Sequence, residues 1–434
     1  MKRQILMTAV VLALLPSLSW GAGFALFESG NKALGMGGAF TAVANDQSAF
    51  FWNPAGMAFQ IDEGSQLMAG VIFITPYQEF VGDDPYPGDG YRATLKDQIF
   101  FPPHFYWSKP LSDRVNFTLG FITPFGLGTW WEDDDTYAGR FISKRADLMV
   151  FDLGGQISWK ICDHFAIGGG IDYMIATIEL KRNVPFINPY TQSLIDVAEA
   201  DLHSNGFSNH AWAWNAGFMW KLPAGFSIGG MYRSEFTIKG TDASAEFTQI
   251  PTGYPDLDAA VAATIPFDEE PDIYTELNFP YYWQIGLAWS NEKLTFSGQY
   301  GVMGWSVFEE LDIQFPEYPY LDSTVREDYD DSKQYRFGAE WRATRSLAFR
   351  LGYGFDETPQ PIESMSPLLP DGDRDFYSAG LGFISKKNKW GFDIGYEYLV
   401  MQERSTEGRS YDGFDGLFYD GGAHLFGASF FWKF

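Results

Sequence analysis

From about residue 65 to the C-terminus, large apolar side chains recur at every second position, which is the period of an extended strand. In KWGFDIGYEYLVM, Lys389 to Met401, one face carries Trp390, Phe392, Ile394, Tyr396, Tyr398 and Val400. The other carries Gly391, Asp393, Gly395 and Glu397. Ser346 to Asp356 repeats the pattern, with Leu347, Phe349, Leu351, Tyr353 and Phe355 opposing Ala348, Arg350, Gly352, Gly354 and Asp356. A soluble sandwich turns its large apolar face inward. A face of small and polar residues opposite it, in strand after strand, fits a polar lumen inside a lipid-facing wall.

Fourteen such segments are expected, starting near Ser65, Gln98, Arg114, Asp147, His164, Phe207, Gly225, Leu277, Glu292, Ser332, Ser346, Asp375, Lys389 and Gly422. Short connections such as KPLSD, ICDH, LPAG, SNEK and KKNK alternate with long ones. One rim of tight turns and one of large loops is the asymmetry of bacterial outer-membrane barrels. The fold class is therefore all-β, a 14-stranded antiparallel transmembrane β-barrel. Composition agrees: 15 Trp, 23 Tyr and 40 Phe are more aromatics than a soluble core needs and suit the girdles of a barrel. The C-terminal LFGASFFWKF alternates to a terminal Phe434 and resembles the signal read by the barrel-assembly machinery, an expected partner during biogenesis.

The first residues set the destination. Lys2 and Arg3 precede a short apolar run, Ile5 to Leu15, and Ser19-Trp20-Gly21 offers small residues at the cleavage positions, so residues 1–21 are expected to be a signal peptide. Without Lys2 and Arg3 the formal charge moves from -26 to -28, a surface that repels nucleic acid. The acidic stretches GDDPYPGDG and REDYDDSK suit solvated external loops or divalent-cation bridging to lipopolysaccharide, which with outer-membrane lipid is an expected neighbour. Cys162 is the single cysteine, which excludes an intrachain disulfide and a cysteine-based metal site.

No catalytic, metal or cofactor site is expected. The five histidines, His104, His164, His203, His210 and His424, stand in no nucleophile or metal-ligand spacing, and HExxH and GxSxG do not occur. Gly168 to Gly170 lacks the helix and Lys-Ser/Thr of a phosphate loop; small inward-facing residues in a crowded barrel explain it better. Inward charges on the last strands, Arg336, Glu340, Arg342, Arg350, Asp356, Asp393 and Glu397, either brace the wall or leave an arginine with donors to spare for a carboxylate. Two loops carry helical spacing: Tyr190 to His203, with Leu194, Val197 and Leu202, and Asp256 to Ile265, with Leu257, Val261 and Ile265. They pack onto neighbouring loops or line an apolar groove. Asn53 is suited to cap a helix whose first residue is Pro54.

AGFALFESGNKALGMGGAFTAVANDQSAFFWNPAGMA, with Asn53-Pro54-Ala55, resembles the N-terminal region of the FadL/TodX family of outer-membrane transporters for hydrophobic compounds. PPHFYW and the later block with Pro124 to Leu127 and Gly139-Arg140 resemble it too. The resemblance implies a small N-terminal helical hatch over residues 22–62 plugging the lumen of a barrel formed by residues 63–434. It further implies passive transport of long-chain fatty acids or similar hydrophobic molecules. Ligand would land in an external groove framed by Leu194, Val197, Leu202, Leu257, Val261 and Ile265. It would move to a pocket near Phe24, Leu26 and Phe27, with Arg336, Arg342 and Arg350 as candidate cations, and leave through the wall beside a kink in the third strand. A general solute porin, or an adhesin or phage-receptor barrel, are the alternatives.

Overall fold

The computed structural model describes residues 23–133, 135–204 and 209–434; the leader expected over 1–21 lies outside them. The chain forms one closed antiparallel barrel whose wall is crossed fourteen times. Closure is made by the first strand, Gln66–Gly82, against the last, Gly416–Lys433, paired from Gln66↔Lys433 to Gly82↔Gly416. A closed ladder leaves no sheet edge in hydrocarbon, where an unpaired peptide group has no water to turn to.

The period-two pattern sorts as its polarity demands. Leu351 and Trp212 are each 67% exposed on the outer surface, while Asp152, Asp172, Gln156, Arg336 and Arg350 are buried in the lumen. Outward rings meet across strands, as in Trp214 to Tyr232 at 5.1 Å and Tyr300 to Tyr335 at 5.3 Å between centroids, forming the aromatic band of a membrane barrel.

Most strands begin within a few residues of the expected places. The second begins at Pro103, because residues 97–102 leave the ladder and touch the first strand through the bridge Ile74↔Phe100 and the bond from Ile72 N to Pro102 O. The seventh is split, Phe226–Arg233 then Phe236–Gln249, as is the eighth, Asp272–Phe279 then Tyr282–Ser290. The last starts earlier than expected, at Gly416.

The helix expected over Tyr190 to His203 is instead a strand, Leu194–Ser204. It lies between Glu179–Ile187 of the fifth strand and Ala243–Gln249 of the seventh, which extend beyond the membrane and offer it two ladder edges. Ala198, Ala200 and Leu202 face inward and are buried, while Glu199 and Asp201 pair outward with Lys144 and Lys181. The helix expected near 256–265 forms at Pro255–Ala262.

Leu351→Arg places a guanidinium on the lipid face and is expected to cost about 2–4 kcal/mol. It should lower the denaturant midpoint of the folded band in semi-native electrophoresis.

Candidate functional site

Inside the barrel, residues 23–64 run as bends and short helical turns, Asn31–Leu34, Ala49–Trp52, Pro54–Phe59 and Ile61–Glu63. Turns this brief have few internal hydrogen bonds, so their peptide groups need partners from the wall. Gln299 Oε1 accepts from the Phe40 and Thr41 amides at 3.1 and 3.0 Å. Arg233 and Gln156 both donate to the Phe50 carbonyl at 2.8 Å. Ser158 donates to Pro54 O at 2.6 Å, and Gln284 to Trp52 O at 2.9 Å.

Asn53 joins the two layers. Its Oδ1 accepts from the Ala55 amide at 3.1 Å, capping the turn that Pro54 opens. Its Nδ2 donates at 2.9 Å both to Thr41 O and to Phe218 O in the wall. Gly217 and Gly168 make this approach possible, since a Cβ on the first would lie 2.5 Å from Asn53 Oδ1 and on the second 2.6 Å from the Pro54 carbonyl carbon.

Nearer the outer rim the N-terminal residues meet an irregularity in the wall. The third strand, Val115–Trp130, carries one extra residue between Ile122 and Phe125, opposite Asp152 and Val150. Pro124 sits in this bulge, a position that tolerates a residue without an N–H. Toward the second strand the third is paired from Asn116 to Phe121. Contact resumes only where Lys96 N donates to Trp130 O at 2.7 Å. Between these points, Leu26 N donates to Pro124 O at 2.9 Å and Gly126 N to Phe24 O at 3.0 Å.

A cavity of about 670 Å³ lies beside this bulge. Phe24, Leu26 and Glu28 line its inner side, while Ile99 and Phe101, 62% and 65% exposed, line its outer side. The Phe100 ring lies against Gly128, where a Cβ would come within 1.9 Å of it. A second, smaller apolar pocket of about 90 Å³ includes Leu180, Leu202, Ile313 and Leu369. Phe24, Leu127 and Leu148 line both spaces. Phe24 is buried in a box of Trp305, Phe308, Phe279 and Phe125, with centroids 4.5 to 6.3 Å away. Gly23 is clamped beside it: its amide donates to Asp371 at 3.0 Å, and Arg374 donates to its carbonyl at 2.5 Å and to Asp371 at 2.7 Å.

The remaining sequence candidates fall as follows. Phe27 is buried against Phe51 and Tyr282, with Arg336 4.5 Å above its ring. Arg336 pairs with Asp356 at 2.7 Å, and its Nε has no partner among the described residues. Arg350 is held between Glu340 at 2.8 Å and Asp393 at 2.6 Å. Arg342 is 44% exposed and pairs with Glu340 at 3.0 Å. None of the three arginines lines the wall cavity or the apolar pocket. Leu257, Val261 and Ile265 are buried in one apolar cluster with Val197, Leu202 and Phe24, while Leu194 is 49% exposed.

Two charged groups that line the cavity escaped the sequence reading, Glu28 and Arg374. Arg374 stands in DGDRDF, whose acids look like an ordinary solvated loop. Burial pushes the Glu28 carboxyl up to about 6, with Arg336 and Arg374 opposing that shift. No group of metal-ligating side chains occurs among the described residues.

A closed barrel with a lipid-facing wall and a peptide-filled lumen is the architecture of an outer-membrane protein. The sequence matches the outer membrane protein transport family (OMPP1/FadL/TodX) over residues 12–434, and the chain belongs to that family. It is 26% identical to a long-chain fatty acid transport protein of Salmonella typhi, over 97% of this chain and 96% of that one. The fold matches a Pseudomonas aeruginosa FadL homologue with a TM-score of 0.78 at 20% identity, over 95% of this chain and all of the other. It also matches the Ralstonia pickettii toluene transporter TbuX with a TM-score of 0.67 at 14% identity, over 94% and 100% of the two chains.

Asn53→Ala leaves the Thr41 and Phe218 carbonyls buried without their donor, at an expected cost of about 2–4 kcal/mol. The residues after Gly23 should become sensitive to protease added from the periplasmic side, with the barrel still folded by circular dichroism.

Proposed function

We propose that this protein carries long-chain fatty acids or similar hydrophobic molecules passively across the outer membrane, releasing them sideways through the wall. The observation that carries this reading is the cavity of about 670 Å³ between Phe24 inside and Phe101 outside, at the bulge in the third strand. The names of its relatives, a long-chain fatty acid transport protein and a toluene transporter, support the same chemistry.

The route follows from the apolar surfaces. Ligand lands among the external loops, where Leu194 is exposed and Val197, Leu202, Leu257, Val261 and Ile265 share one buried apolar cluster. It enters the pocket lined by Leu202 and Leu180, and Phe24 bars it from the wall cavity. Withdrawal of Phe24 breaks two backbone bonds to the third strand and opens one space into the other. Residues 30–64 act as the hatch: bound to the wall along their length, they stay in place and keep the lumen closed to water-soluble solutes. Each CH₂ moved out of water is worth about 0.8 kcal/mol, so a path walled by apolar side chains holds such a ligand better than a wet pore. Leaving within the membrane spares the ligand a passage through water below.

Deleting Pro124 removes the extra residue and lets the third strand run in register. Uptake of radiolabelled oleate and toluene by cells should then fall to the level of cells lacking the gene, with the barrel still inserted. Uptake that persists at the unaltered rate contradicts the sideways exit.

A further inference from the structure

The wall cavity is apolar except for a few groups, and those groups are matched to one kind of cargo. Glu28 Oε2 is sealed from solvent and has no hydrogen-bond partner among the described residues. Thr123 Oγ1, at the bulge and lining the same cavity, is likewise sealed and unpartnered. Unmet polar atoms buried in an apolar space cost free energy, and a passing head group that satisfies them lowers it.

The charge around Glu28 comes from four neighbouring strands. Arg336, Asp356, Arg374 and Glu397 act on it, and Asp371 in turn binds Arg374. Four carboxyl groups (Glu28, Asp356, Asp371, Glu397) thus share two guanidiniums, those of Arg336 and Arg374. Arg336 is bonded to Asp356, and Arg374 to Asp371 and the Gly23 carbonyl. Of these guanidiniums only that of Arg374 lines the cavity, and it is already bonded, so an incoming carboxylate meets no free cation there. A hydroxyl or a protonated carboxyl, by contrast, donates its O–H to Glu28 and accepts from the Thr123 hydroxyl.

We infer that cargo crosses the wall cavity in uncharged form, and that Glu28 with Thr123 is the device that selects it. Alkanes, aromatics and long-chain alcohols pass as they are, and a fatty acid passes as its protonated acid. The proton is taken from external water with the carboxylate and is returned to water when the acid reaches a membrane surface. The inference rests on the wall cavity being the exit path. The raised pKa of Glu28, about 6, adds that its repulsion of a carboxylate weakens as pH falls through that value, since the protonated form is then populated.

The test is the protein-dependent uptake of labelled oleate and hexadecanol, expressed as the ratio of their initial rates, in cells with and without the gene. For the wild type the oleate-to-hexadecanol ratio should rise on the order of a hundredfold or more between about pH 8 and about pH 5.5, since the protonated fraction of the acid grows about tenfold per pH unit. In Glu28→Gln, checked for insertion by heat-modifiable electrophoresis, the ratio at the higher pH should rise several-fold and its pH dependence should flatten. Should that variant fail to insert, Thr123→Val and the wild-type profile decide, the valine variant slowing hexadecanol relative to hexadecane. A wild-type ratio that is flat with pH, or a profile equally steep in Glu28→Gln, overturns the inference while leaving the exit path standing. If uptake of none of these ligands depends on the protein, the exit path falls and the inference with it.

Discussion

In hydrocarbon each backbone N–H and C=O needs a partner from the protein itself. The rest of this structure follows from how that demand is met along one strand. Most seams of the fourteen-strand wall are long ladders, some with a local bulge. The seam between the second and third strands stops after Phe105↔Phe121 and resumes beside Trp130. The Pro124 carbonyl and Gly126 amide exposed in between are taken by Leu26 and Phe24, from inside the barrel. The same two residues thereby close the wall and separate the pocket from the cavity.

The lumen is polar for a complementary reason. Short turns cannot satisfy their own peptide groups, and Gln299, Gln156, Gln284, Arg233 and Ser158 satisfy them from the wall. Wall glycines at 168 and 217 let the Asn53-Pro54 turn come within contact distance. Arg350, Glu340 and Asp393 form a closed ionic cluster on the other side. Such groups brace the filling, and none of these three lines the wall cavity or the apolar pocket.

Much of the fold was legible because a membrane barrel writes its wall in period two and its rims in loop length. The same logic failed at Tyr190 to His203, where apolar spacing suggested a helix. The alternation Ala198, Glu199, Ala200, Asp201, Leu202, His203 was also present, and the protruding fifth and seventh strands decided between them by offering ladder edges. A kink was expected in the third strand, but its place at Pro124 could come only from the register with the strand opposite. The lumenal arginines were assignable to a face and not to a height or a partner. Strand parity therefore grouped Arg336, Arg342 and Arg350 together, although their surroundings differ. Phe24 was legible as part of the N-terminal stretch, whereas Trp305, Phe279 and Phe125 that enclose it come from distant loops and strands.

The central claim is that hydrophobic cargo passes through the wall beside Phe100 and Gly128 and not down the lumen. Crystals soaked with a bromine-terminated long-chain alcohol test it most directly through the anomalous signal of bromine. The account predicts bromine peaks in the cavity between Leu26 and Phe101, with the turns from Ala49 to Phe59 undisplaced. Peaks on the periplasmic side of the Pro54–Phe59 turn, with those turns shifted and the wall cavity empty, would contradict it.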